Sequence, residues 1–173
     1  MNALDLQSNE ILDVVDSDDK VVGHATRGQI HKEGWLHRAV HVFLFNSTGE
    51  IYIQRRSSLK DRHPSKLDSS AAGHVDSMEN YEEAAKRELN EELGITGKLR
   101  PVLKVSACAE TDNEHVVLFS VRSDATPVPD PKEIASGKFI DPPTLTQLMA
   151  KHPEDFVPAF ILLWGLYGEI NLQ

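Results

Sequence analysis

Short apolar runs separated by turn-forming residues dominate the first part of the chain and read as strands. Residues 11–16 (ILDVVD) and 21–26 (VVGHAT) flank the turn-rich SDDK and predict a hairpin. Residues 38–46 (RAVHVFLFN) and 51–57 (IYIQRRS) flank STGE and predict a second. The strand pattern resumes over 102–109 and 116–121. Prolines in TPVPDP (126–131) mark a loop and exclude a central strand there. KFIDPPTL opens a short strand and turn, followed by a helix over 144–151. A final, strongly apolar helix over 154–168 is expected to pack on the sheet. Strands interspersed with helices, joined by hairpins and crossovers, indicate an α/β (α+β) fold in a single domain over 1–173, without repeats or low-complexity tracts.

The segment 73–95, GHVDSMENYEEAAKRELNEELGI, breaks this pattern informatively. At about 100° per residue, Tyr81, Ala84 and Ala85 fall on one helical stripe, as a core-facing helix requires. The stripe continues through Glu88, Glu91 and Glu92. Their i, i+3, i+4 spacing sets three carboxylates side by side, where like charges repel and burial adds a desolvation cost. A cation relieves both, and a cluster of hard oxygen ligands selects Mg²⁺ or Mn²⁺. Gly94 followed by Ile95 is the pattern of a glycine C-cap with a trailing apolar contact. Gly73 ends the small-residue stretch SSAAG, where backbone can approach a metal unobstructed. Arg87 stands one turn before Glu91 and can orient it, while Glu79 can pair with Arg87 from the loop side.

Composition narrows the picture further. Hydrophobic content of 40% and charged content of 26% are ordinary for a globular domain of 173 residues. A net charge of −9 argues against a general nucleic-acid or membrane-surface binder. It also requires cations at any site that handles polyphosphate. Cys108 is the single cysteine, which excludes an intramolecular disulfide and points to a reducing compartment. The polar, acidic MNALDLQSNE is unlike a signal peptide, and the apolar stretch 157–167 is too short to cross a bilayer. A cytoplasmic protein is expected; its oligomeric state is left open.

Segment 73–95 resembles the signature of the Nudix hydrolases at every fixed position: Gly73, Glu79, Arg87, Glu88, Leu89, Glu91, Glu92, Gly94 and Ile95. The resemblance implies a mixed sheet between helices and metal-dependent hydrolysis of a diphosphate linkage in a nucleoside diphosphate derivative or related organic diphosphate. It assigns metal binding to Glu88, Glu91 and Glu92, with Arg87 and Glu79 as a bracing pair. A carboxylate accepts the proton of the attacking water; Glu91 inside the motif and Glu133, in the loop after the proline run, are both candidates. Arg55 and Arg56 end a strand, so period-two alternation sends one of them into the cleft as a phosphate ligand.

Outside this motif the chain is similar to the branch of the family that includes isopentenyl-diphosphate isomerase. The shared features are His31 and His37 before a strand, QRRS, the Gly73-His74 pair and the Asn-Glu of DNEH. In those isomerases three histidines and two acids bind a metal, and the matching positions are His31, His37, His74, Asp112 and Glu114. Alternation should turn His115 the other way. The isomerase's catalytic cysteine precedes Gly-His; here Ala72 stands there, and Cys108 does not align with it. Intact hydrolytic carboxylates without that thiol favour hydrolysis over isomerisation. They equally argue against a non-catalytic ligand sensor.

Overall fold

A computed structural model describes residues 9–171. Strands β1 (Ile11–Val15) and β2 (Val21–Thr26) pair antiparallel, Ile11 opposite Thr26, forming the first expected hairpin. Helix α1 (Arg27–Glu33) follows, and the sequence pattern does not announce it. It is short and carries one buried aliphatic residue, Ile30, so no stripe develops. Its ends are nevertheless well defined. The Thr26 hydroxyl accepts from the Gln29 amide, and Gly34 closes the helix at φ 68°, a left-handed conformation that suits glycine.

Strand β3 (His37–Phe45) is the spine of the main sheet. It runs parallel to β8 (Glu114–Arg122), His37 opposite Glu114, and antiparallel to β6 (Ala71–His74), Ala39 opposite His74. β7 (Arg100–Val105) covers the far side of β8. The second expected hairpin is correct only at its turn. β3 and β4 (Ile51–Arg56) meet at Phe45 and Ile51 and then part. Beyond that point β4 pairs with β5 (Leu67–Asp68) and β9 (Ile134–Ile140). Buried along nearly its whole length, β3 takes its partners from distant segments, which a local turn cannot announce.

Residues 67–74 fill the space between β3 and β4, β5 lying on β4 and β6 on β3, and polar side chains at their junction tie the strands together. The Ser70 hydroxyl donates to the Tyr52 carbonyl at 2.5 Å and accepts from the Leu44 amide at 2.8 Å, so one residue stitches both strands. His41 Nδ1 lies 2.7 Å from the Ser69 hydroxyl, and Gln54 Nε2 donates to the Ser70 carbonyl at 3.3 Å. Sheet polar groups that lack a strand partner must be satisfied in this way when buried.

Apolar clusters cover both faces of the sheet, as the expected mixed sheet between helices requires. Helix α2 (Tyr81–Leu93) lays Ala84, Ala85, Leu89 and Leu93 on Val40, Val42 and Leu44. It begins with a reciprocal capping box between Asn80 and Glu83 and ends at Gly94, φ 64°. On the other face, α3 (Pro142–Lys151) and α4 (Pro158–Asn171) contribute Leu145, Met149, Phe160, Leu163 and Trp164. The last helix starts later than its apolar pattern suggests. A 3₁₀ turn (Pro153–Asp155) precedes it, and Pro158 provides a fixed φ suited to a helix start. Strand β9 begins before KFIDPPTL, and Asp141 caps α3 through a 3.0 Å bond from the Thr144 amide. No described helix is long and apolar enough to cross a membrane.

Phe160 is fully buried, with its ring centroid 5.7 Å from that of Phe43 and 6.2 Å from that of Phe156. Phe160→Ala is expected to cost about 3–5 kcal/mol in urea unfolding. A loss well below that range would show that α4 is not anchored through this ring.

Candidate active site

Helix α2 carries its carboxylates onto the open edge of β6. Glu88 lies directly over Gly73: a Cβ at that position would stand 2.1 Å from the Glu88 carboxyl carbon, so only glycine admits the contact. Glu92 is buried between the separated strands. Its Oε2 accepts from Gln54 Nε2 at 2.9 Å and from the Ala72 amide at 3.2 Å. Glu91 differs, being 59% exposed at the mouth, with Oε2 3.5 Å from Arg87. Burial, reinforced by the charge of Glu92, pushes the Glu88 carboxyl above the usual carboxylate range despite Arg87. Burial likewise raises Glu92, against the opposing influence of Lys60 and Gln54. Two buried acids held back from ionising are what a divalent cation would relieve, so the donor set fits such an ion.

Arg87 organises the approach to these acids. Its Nε and Nη2 donate to the two Glu79 oxygens at 3.1 and 2.8 Å, a two-pronged pairing. Nη2 also donates to the His74 carbonyl at 3.0 Å, and Nη1 to Glu88 at 2.6 Å. One side chain thus ties loop, strand and helix together, which is the bracing role expected for Glu79 and Arg87.

A cavity of about 370 Å³ opens over this edge. Its lining brings Glu88, Glu91 and Glu92 of α2 together with Arg27, Arg56, Lys60, Arg62 and His63, interleaved with further acids such as Asp68, Asp112 and Glu133. The two strand-end arginines separate as alternation requires. Arg56 enters the cavity and pairs with buried Asp68 at 2.9 Å, whereas Arg55 is exposed and donates to the Ser65 carbonyl at 2.6 Å. Glu133 reaches the cavity wall and forms an ion pair with Lys60, whose Nζ is 4.0 Å from Glu92. Lys60, Gln54, Arg62 and His63 were not foreseen. Gln54 is the first residue of QRRS and the others follow that motif closely, where polar residues in a turn-rich stretch read as solvated loop.

A second cluster stands beside the first. His31 comes from α1, His37 and Glu114 from the paired starts of β3 and β8, and His74 from the end of β6. Each offers a ligand atom, and these atoms all lie within 4.8 Å of one another. Glu114 Oε1 is 3.2 Å from His74 Nε2 and 3.4 Å from His37 Nε2. His31 Nε2 and His37 Nε2 are buried without a hydrogen-bond partner. His37 Nδ1 lies 3.0 Å from the Trp35 carbonyl, which only accepts. A proton on Nδ1 satisfies that carbonyl, and Nε2 is the ring nitrogen turned toward the cluster. Burial, then the neighbouring His74 and His37, lowers His31 to about 4, and burial also lowers His74. Burial opposes ionisation of Glu114, but His37 and His74 outweigh it and hold the carboxyl well below its ordinary range. Three imidazoles and a carboxylate gathered at this spacing form a donor set suited to a divalent metal.

Asp112, the fifth residue expected here, is not gathered with the four. Arg62 Nη2 lies 2.5 Å from Asp112 Oδ1, and His63 Nε2 lies 2.8 Å from Oδ2. His63, against the cost of burial and with help from Arg62, brings the carboxyl down to about 2. The reason is local backbone geometry: Asp112 and Asn113 both adopt positive φ, 55° and 66°, which alters the direction that simple strand alternation would give. His115 does turn away, its Nε2 3.0 Å from the Asp16 carbonyl.

A mixed sheet between helices, with an arginine-braced glutamate cluster at its open edge, defines a Nudix-type protein. A family model of the NUDIX domain matches residues 35–160, and the chain belongs to the Nudix hydrolase family. It is 38% identical over 146 residues to a Nudix hydrolase of Deinococcus radiodurans, spanning 83% of this chain and 85% of that one. It is also 36% identical over 156 residues to an isopentenyl-diphosphate Delta-isomerase of Burkholderia multivorans, spanning 87% and 89% of the two chains. The crystal structure of DR0079 from Deinococcus radiodurans superposes with a TM-score of 0.73 at 36% identity, covering 82% of this chain and 90% of the other.

Gly73→Ala should displace Glu88 and weaken Mg²⁺ binding about ten- to a hundredfold while the far-ultraviolet circular dichroism stays native. Unchanged binding by calorimetry would show that the Glu88–Gly73 contact has no part in holding a cation.

Proposed function

We propose that this chain is a Mg²⁺- or Mn²⁺-dependent pyrophosphohydrolase acting on a nucleoside diphosphate derivative or related organic diphosphate. The observation that carries the reading is one cavity that gathers the buried carboxylates of Glu88 and Glu92 with the basic side chains of Arg56, Lys60 and Arg62. Glu88, Glu91 and Glu92, with the Gly73 backbone beside them, hold the divalent cation. When bound, that cation supplies charge neutralisation for the phosphate oxygens and lowers the pKa of a coordinated water. Arg56, which lines the same cavity and is held by Asp68, orients a phosphate oxygen. Arg87 and Glu79 keep Glu88 in place. The proton of the attacking water goes to a carboxylate, either Glu91 at the mouth or Glu133 on the cavity wall. Glu133 is held in place there by its ion pair with Lys60. Arg55 lies outside the cavity and is removed from the set of phosphate ligands.

The second cluster is read as a further divalent-metal site held by His31, His37, His74 and Glu114, without Asp112. It also keeps an isoprenoid diphosphate isomerase in view, as do the isomerase-named relatives. Against that alternative stands Ala72, which leaves no thiol before Gly73. Cys108 lies in the loop before β8, its amide 3.0 Å from the Thr111 hydroxyl, and is not among the residues lining the cavity.

The test is product release from a panel of diphosphates, isopentenyl diphosphate included, with Mg²⁺ or Mn²⁺. Glu92→Gln is expected to lower kcat by about a hundredfold or more on any substrate that turns over. Near-normal turnover in that variant sinks the carboxylate assignment; isomerisation of isopentenyl diphosphate would replace hydrolysis as the function. Separately, His31→Ala should lose one tightly held equivalent of Mn²⁺ or Zn²⁺ by elemental analysis while the Glu88 and Glu92 site still binds Mg²⁺. Equal metal content in both proteins removes the second site.

A further inference from the structure

The first cavity is lined mainly by charged and polar residues, with Ala39, Ala72, Val157 and Ala159 as its apolar members. Among the described residues no Phe, Tyr or Trp lines it, so a planar group attached to a diphosphate bound there finds its aromatic stacking face elsewhere. A second cavity, about 270 Å³, adjoins the first through Arg62 and Asp112, which line both. The histidine cluster straddles the boundary: His74 and Glu114 face the first cavity, His31 and His37 the second one. Here the lining changes character. Trp35 is 39% exposed, unusual for so large an apolar ring, and Ile30 is fully buried beneath the cavity. Gly34 and Asn113, both at positive φ, shape the opening, with the Asn113 amide 3.5 Å from the Gly34 carbonyl.

We propose that this second cavity is the subsite for a nucleobase, stacked on Trp35; the proposal deepens the diphosphate reading and rests on it. An indole offers a stacking face to a planar ring, and the Arg62 guanidinium, planar itself, supplies another surface. Asn113 presents donor and acceptor groups, as the polar edge of a base requires and an aliphatic chain does not. The Arg62–Asp112 bridge lies where ribose would pass between phosphates and base.

The test separates binding from turnover. In a Trp164→Phe background Trp35 is the sole tryptophan, so its emission reports on this cavity. The α,β-methylene analogues of ADP and CDP should quench it saturably with Mg²⁺ present. Methylenediphosphonate, which has no base, should bind by calorimetry without quenching. In the otherwise native chain, Trp35→Ala should weaken nucleotide-analogue binding about tenfold or more, leave methylenediphosphonate unchanged, and be rescued by Trp35→Phe. Equal weakening for both ligands would reveal a merely structural tryptophan and overturn the proposal, as would saturated nucleotide binding without quenching. Stronger quenching by an alkyl diphosphonate would assign the cavity to an aliphatic chain instead. Nucleotide-analogue binding at Trp35 with no turnover of any diphosphate in the panel would sink the hydrolase reading and leave the subsite standing. Hydrolysis unaffected by Trp35→Ala would do the reverse.

Discussion

Burial of Glu88 and Glu92 on one helix is the constraint around which this structure is arranged. Each carboxylate loses water, and each feels the other's charge. Nearly everything nearby answers that cost. Arg87 spans Glu79 and Glu88, Gln54 and the Ala72 amide donate to Glu92, and Lys60 waits opposite. The parting of β3 and β4 belongs to the same arrangement. Residues 67–74 run between them, β5 on β4 and β6 on β3, and this inserted segment brings the Ala72 amide to Glu92 while the Gln54 side chain reaches it from β4. The serines at the junction of β5 and β6 tie the segment to both neighbours.

Much of this was legible in the sequence because it is local. The Glu88, Glu91 and Glu92 stripe follows from helical periodicity alone. The Arg87–Glu79 brace joins a helix to the loop immediately before it. The capped ends at Asn80 and Gly94 sit where their residue types demand. Alternation separated Arg55 from Arg56 and turned His115 from Glu114. The four-residue cluster was reached through family resemblance, since no local pattern links His31 to Glu114.

What stayed hidden depends on distance or on backbone exceptions. The partners of β3 come from segments far along the chain, so the STGE turn suggested a hairpin that barely forms. Helix α1 is too short to show a stripe. Asp112 was placed with the histidines through family resemblance, but in a turn of consecutive positive φ values its carboxylate meets Arg62 and His63. Lys60 gains its position only once β4, α2 and the loop before β9 are assembled. Trp35 left no chemical signature in sequence, because a single exposed aromatic acquires meaning only from the cavity beside it.

The parallel pairing of β3 with β8 has a consequence for how the molecule folds. Parallel strands need long crossovers, and here the crossover includes β4, β6 and α2. Loop-closure entropy is lost before such non-local pairs contribute, so this register belongs to the slow part of assembly. His37 and Glu114 open that register, with His74 entering from β6. The histidine–glutamate cluster is therefore a proofreading point of the fold: it comes together only when three separately placed strands have found their correct alignment. A chain that misregisters β3 against β8 by one residue keeps its composition and much of its apolar burial, but disperses these four side chains.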